Sequence, residues 1–115
     1  MRSRGWKFRI QDILDAIDRI QSYVQGRSLE QFSEDRRTLD AVERNFIIIG
    51  EAARQVPLDV QESFPTIPWR EMADMRNYVV HQYWGVEINR VWDTIHENLP
   101  PIKPLLKNLI ENAPE

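Results

Sequence analysis

The chain has no cysteine, which excludes disulfides and thiolate-bound metals. That absence suits a reducing compartment, so a cytoplasmic protein is expected. Glycine is scarce. Gly5, Gly26, Gly50 and Gly85 stand alone, and no glycine-rich loop is available to cradle a phosphate. Long apolar runs are missing as well. The longest, Phe46 to Ile49, falls far short of a membrane span. The opening residues do not make a basic-then-apolar leader, which predicts a protein that is not exported. Positive charge is not in excess either. A net charge of −3 argues against a protein that coats nucleic acid but leaves room for an enzyme with a small basic site. Its two histidines, His81 and His96, have no His-x-x-x-His spacing and no acidic cluster, so no metal and no cofactor are expected.

What is present reads as helix almost throughout. At 115 residues and 42% hydrophobic content, residues 1–115 fit a single all-α domain with one modest core. A core that small makes self-association a natural source of further stability. Ile10, Ile13, Leu14, Ile17, Ile20 and Val24 form one apolar stripe, and Gly26 is placed to stop that helix. Arg2, Arg4, Lys7 and Arg9 open it with no acid between them. A solvated helix start explains them more simply than an RNA-binding arm. Ser28 with Gln31 is a capping-box pattern for a short turn, and Ser33 is placed to cap the next helix. Leu39, Val42, Phe46, Ile49, Ala53 and Val56 recur at spacings of three and four, ending at Pro57. Within that helix, Phe46-Ile47-Ile48-Ile49 covers most of the circumference, so more than one side must be covered. Gly50, Ala52 and Ala53 make a thin patch where another backbone can approach, and a homodimer built on this stretch is expected. Leu58 to Phe64 predicts a short helix. Trp69, Met72, Met75, Val79 and Tyr83 (or Val80) form the buried face of another. Ile88, Val91, Trp92, Ile95 and Leu99 form the next, which Pro100-Pro101 should break or kink. The whole is an antiparallel bundle of four to six helices.

The chemistry concentrates in Arg76-Asn77-Tyr78-Val79-Val80-His81-Gln82-Tyr83. A histidine can move a proton near neutral pH, and an arginine can hold a phosphate and offset charge that builds on it. Those are the groups that RNA cleavage without a metal requires. Asn77 and His81 are four apart and share a helix face. Arg76 lies about 140° around from His81 at 100° per residue, too far for one face of one helix. The arginine stem must wrap back, or the site must combine two subunits. Glu51, off the buried seam of its helix, is either a surface carboxylate or a partner that orients Arg76. His96 reads as solvated surface. Of Trp6, Trp69, Trp84 and Trp92, only Trp84, beside Tyr83 and Gly85, is a good surface candidate for stacking on a base.

The motif Arg-x4-His-x-Tyr resembles the signature of HEPN-domain ribonuclease toxins of the HepT type. Three longer stretches share the likeness: Ala41-Val42-Glu43-Arg44 through Gly50-Glu51-Ala52-Ala53, Pro65-Thr66-Ile67-Pro68-Trp69, and Val91-Trp92-Asp93-Thr94-Ile95 through Leu99-Pro100. Together they span nearly the whole chain. One departure is Asp74, where relatives often have a small residue; an acid there could pair with Arg76 or weaken its pull on phosphate. The resemblance implies a HEPN-like, homodimeric helical bundle with the two motifs facing one another. It implies an RNA-cleaving toxin of a type VII toxin–antitoxin system with Arg76 and His81 catalytic, and Asn77 and Glu51 supporting. It also implies an MntA-like nucleotidyltransferase antitoxin that transfers AMP to Tyr83. RNA is then the substrate, with neither DNA nor membrane expected. The alternative is a non-catalytic partner that binds nucleotide or assists a minimal nucleotidyltransferase.

Overall fold

A computed structural model describes the backbone of residues 2–81 and 87–113, with side chains over 5–77 and 87–113. Among the described residues all regular structure is helical: α1 (Arg2–Val24), α2 (Leu29–Glu34), α3 (Arg36–Arg54), α4 (Leu58–Ser63), α5 (Trp69–His81), α6 (Ile88–Asp93) and α7 (Leu99–Asn112). The all-α expectation holds. Helix α1 ends where Gly26 adopts φ +75°, a left-handed conformation that glycine enters without steric cost.

The stripes read from the sequence meet in one core. Ile10, Ile13, Ile17 and Ile20 of α1 are fully buried against Val42, Phe46 and Ile49 of α3 and Leu99, Leu106 and Leu109 of α7. Removing any one such side chain to alanine costs about 2–5 kcal/mol. Polar pairs fix the directions. Arg27, just past α1, pairs with Asp35 at the start of α3, and Arg19 Nε donates to Asn45 Oδ1 at 2.9 Å, so α1 and α3 run antiparallel. Lys7 Nζ donates to the Ala113 carbonyl at 3.1 Å and Lys103 pairs with Asp18 at 2.7 Å, so α1 and α7 do too. The α5 face expected to be buried is buried at Trp69, Met72 and Met75; Val79, Val80 and Tyr83 lie outside the described side chains.

Three local expectations are corrected. Ser33 does not cap α3. It lies inside α2 and its hydroxyl donates to the Glu30 carbonyl, while Asp35 caps α3 by accepting from Thr38 N at 3.2 Å. The Ser28–Gln31 capping box does form, and it starts α2 two turns earlier. Pro100 and Pro101 do not break the chain into separate helices. Residues Thr94–Asn98 widen into a π turn, closed by Leu99 N–H to the Thr94 carbonyl, and α7 follows directly with the prolines in its first turn. A proline ring collides with the carbonyl four residues back in α geometry. The π turn holds those carbonyls, of His96 and Glu97, on a wider ring. The third correction concerns the thin patch on α3. Gly50 is used within the chain, by α5, rather than held open for a second subunit.

Candidate active site

Helix α5 carries the motif, and α3 supports it. A Cβ built on Gly50 would lie 2.4 Å from Arg76 Cβ, 2.8 Å from Arg76 N and 3.1 Å from the Ala73 carbonyl oxygen. The two backbones therefore touch at the residue just before Glu51. From there the Glu51 carboxylate reaches Arg76, with Oε2 2.9 Å from Nε. Arg76 Nη1 also donates to Asn77 Oδ1 at 3.2 Å. Glu51 thus orients Arg76, one of the two placements open to it from the sequence. Asn77 holds the guanidinium as well, a contact the sequence did not indicate.

The arrangement leaves a defined part of Arg76 available. Nε faces Glu51 and one Nη1 hydrogen goes to Asn77, while no acceptor among the described residues bonds Nη2. The Arg76 side chain is 36% exposed, so these donors meet solvent. A planar guanidinium fixed on one side and open on the other is suited to take a phosphate oxygen.

The α5 backbone stays helical through His81, so the register offset between Arg76 and His81 persists within one chain. The His81 side chain and all of Tyr83, Trp84 and Gly85 lie outside the described residues. Asp74 does not pair with Arg76. It is exposed and lines a cavity of about 540 Å3 with Glu71, Met75, Arg90 and Thr94 on another flank of the helix. Two carboxylates at that cavity repel phosphate, so it is not the place where an RNA backbone would bind. His96 is exposed as expected, with its ring 4.2 Å from that of Trp92 and Nδ1 2.9 Å from the Trp92 carbonyl oxygen. Trp6 and Trp69 are buried, and Trp69 donates its indole N–H to the Phe64 carbonyl, so both serve packing. Among the described residues no group of three or more His, Cys, Asp or Glu is placed to hold a metal ion. No described helix is long and apolar enough to cross a membrane.

Sequence reasoning treated Gly50 as a contact surface and missed its place at the site. The available signal was one glycine directly before a carboxylate, in a helix whose other inward residues are bulky.

An all-helical bundle that anchors an arginine five residues ahead of a histidine on one helix has the features of a HEPN-like nuclease. The family model described as Ribonuclease HepT-like matches residues 13–109, a span holding Glu51, Arg76, Asn77, His81 and Tyr83, and the chain belongs to that ribonuclease family. A Thermococcus cleftensis protein named a probable ribonuclease HepT is 39% identical over 106 residues, covering 92% of this chain and 96% of its own. Two Methanocaldococcus jannaschii proteins whose names carry a provisional RNase assignment are each 35% identical. One aligns over 112 residues (97% of this chain, 93% of its own) and the other over 115 (100% and 99%). No solved structure matches.

Proposed function

We propose that the protein is the toxin of a type VII toxin–antitoxin system, a metal-independent RNA endonuclease that works through Arg76 and His81. The observation that carries this reading is the anchored guanidinium. Glu51 and Asn77 hold Arg76 while its Nη2 stays open to solvent, on the same helix as His81. The ribose 2′-oxygen attacks the adjacent phosphorus, the bond from phosphorus to the 5′ oxygen breaks, and a 2′,3′-cyclic phosphate remains. His81 takes the 2′-hydroxyl proton or delivers one to the departing 5′ oxygen. Arg76 offsets the negative charge that accumulates on the phosphorane.

The helical offset between the two residues favours a homodimeric site, in which Arg76 of one subunit works with the partner subunit's His81. Half-buried Ile47 and Ile48, one turn before Glu51, supply an apolar margin for that contact. The deciding experiment uses His81→Ala and Arg76→Ala separately and mixed. Each alone should lose cleavage of a defined RNA in chelator, about 10²–10⁴-fold for the acid–base group. A mixture refolded together should regain activity, at a solution mass near twice 13.7 kDa. Cleavage by His81→Ala at the wild-type rate would overturn the mechanism. A strictly monomeric active species would overturn the shared site.

Tyr83 is the proposed control point. It follows His81 by two residues, and an AMP group there would place a phosphate charge beside Arg76, in competition with the RNA backbone. Tyr83→Phe should fold, cleave RNA, and resist AMP transfer by the cognate nucleotidyltransferase. An adduct formed on Tyr83→Phe at the wild-type level, read by mass spectrometry, would move the control site elsewhere.

A further inference from the structure

We propose that Gly50 is a positioning residue of the cleavage site. Having no side chain, it lets α5 seat directly on α3, so that the Glu51 carboxylate reaches Arg76 and sets the depth of the guanidinium. The proposal rests on the cleavage reading of Arg76 given above.

Three observations carry it. The first is that Gly50 is needed for space and not for backbone conformation. Among the described residues only Gly26 has a positive φ, and Gly50 sits inside a regular helix, where glycine is less favourable than alanine. The second is what a Cβ would strike. Arg76 Cβ at 2.4 Å, Arg76 N at 2.8 Å and the Ala73 carbonyl at 3.1 Å are backbone or first side-chain atoms, and none can swing aside. Relief requires the helices to part. Restoring ordinary carbon–carbon separation moves α5 by about 1 Å. The third is location. The contact falls on Arg76 itself, and the next residue after Gly50 is the one that pairs with its guanidinium. Gly5 is the counterexample within the same chain, because a Cβ there meets nothing within 4 Å. A displacement of about 1 Å at a reacting group can cost about 100-fold in rate.

The test is Gly50→Ala in two backgrounds, with Gly5→Ala as the control. In the wild-type background, Gly50→Ala should lower kcat for RNA cleavage about 10–100-fold, with a smaller change in KM, while Gly5→Ala changes neither. In the Arg76→Ala background the clash with Cβ and N remains, so melting temperature should fall by the same amount as before. The residual single-turnover rate should not fall further, because the guanidinium that Gly50 positions is gone. Wild-type kcat in a destabilised Gly50→Ala protein would overturn the proposal, as would an equal fold-loss in both backgrounds, which marks a purely structural role. If Gly50→Ala does not fold, Glu51→Asp takes its place. It shortens the reach to Arg76 without touching the helix contact, and unchanged kcat in that variant would overturn positioning from α3. An Arg76→Ala protein that cleaves as wild type would instead refute the cleavage reading itself, a separate result.

Discussion

Two arginine–carboxylate pairs of similar exposure are organised around opposite partners. In the Arg27–Asp35 pair the acid is the centre. Asp35 accepts from Arg27, from Thr38 N at 3.2 Å and from Thr38 Oγ1 at 2.7 Å. Those bonds, the Thr38 hydroxyl first and the Arg27 guanidinium next, hold its pKa down to about 2. In the Arg76–Glu51 pair the base is the centre. Glu51 and Asn77 both serve the guanidinium, and part of it stays open. Arg27 and Arg76 have the same side-chain exposure, 36%, so exposure does not separate them. What separates them is which group the neighbours complete. The first closes a helix start, and the second prepares a cation for a ligand.

The largest effect should come from exchanging the arginines for alanine. Arg76→Ala should reduce cleavage about 100–1,000-fold, the scale of losing one group that stabilises transition-state charge. Its melting temperature should stay near wild type. Arg27→Ala should do the reverse, keeping kcat while the melting temperature falls. An equal activity loss in folded Arg27→Ala would erase the distinction.

The next effect is smaller and concerns the carboxylates. Glu51→Ala frees Arg76 without removing it, and kcat should fall about tenfold through lost orientation. Asp35→Ala should leave kcat alone and lower thermal stability by loss of the α3 cap. Assays of both variants at one temperature, below both melting points, decide the matter.

The smallest effect is in pH, and it sharpens the contrast on α3 itself. The Asp35 pKa is depressed, so its stabilisation is complete above the ordinary value of 3.8 and is lost as pH falls toward about 2. Glu43 behaves oppositely. It is 7% exposed, and burial pushes its pKa above the ordinary 4.5 against the pull of Arg36 at 3.7 Å. Ionising it costs stability as pH rises through and beyond that value. In thermal melts from pH 2 to 7, the margin of wild type over Asp35→Asn should shrink on acidification. Glu43→Gln should gain on wild type as pH rises. Parallel curves for all three proteins would show that neither carboxyl is linked to folding.

The two pairs also differ in how far the sequence revealed them. Helix stripes, the capping box at Ser28 and the stop at Gly26 were legible because they follow from local periodicity and turn chemistry. The Asp35 cap was misplaced by two residues, since Ser33 and Asp35 both suit a helix start and only the packing of α2 decides between them. At the site, Arg76 and His81 stood out by residue type, and Glu51 could be named only as one of two possibilities. Its pairing depends on how closely two helices approach, a three-dimensional quantity that Gly50 sets and that no spacing along the chain reports.

The π turn at Thr94–Asn98 makes the last helical stretch intolerant of changes in length. It acts as a phase shifter between α6 and α7. Deleting one residue there would rotate everything downstream by about 100° and draw it back by about 1.5 Å. Leu106 and Leu109 would swing off α1, Lys103 would leave Asp18, and the prolines would face carbonyls at α-helical distance. A single codon lost from that turn is therefore a change of gear for the whole C-terminal helix, while point substitutions on its exposed side leave the phase untouched.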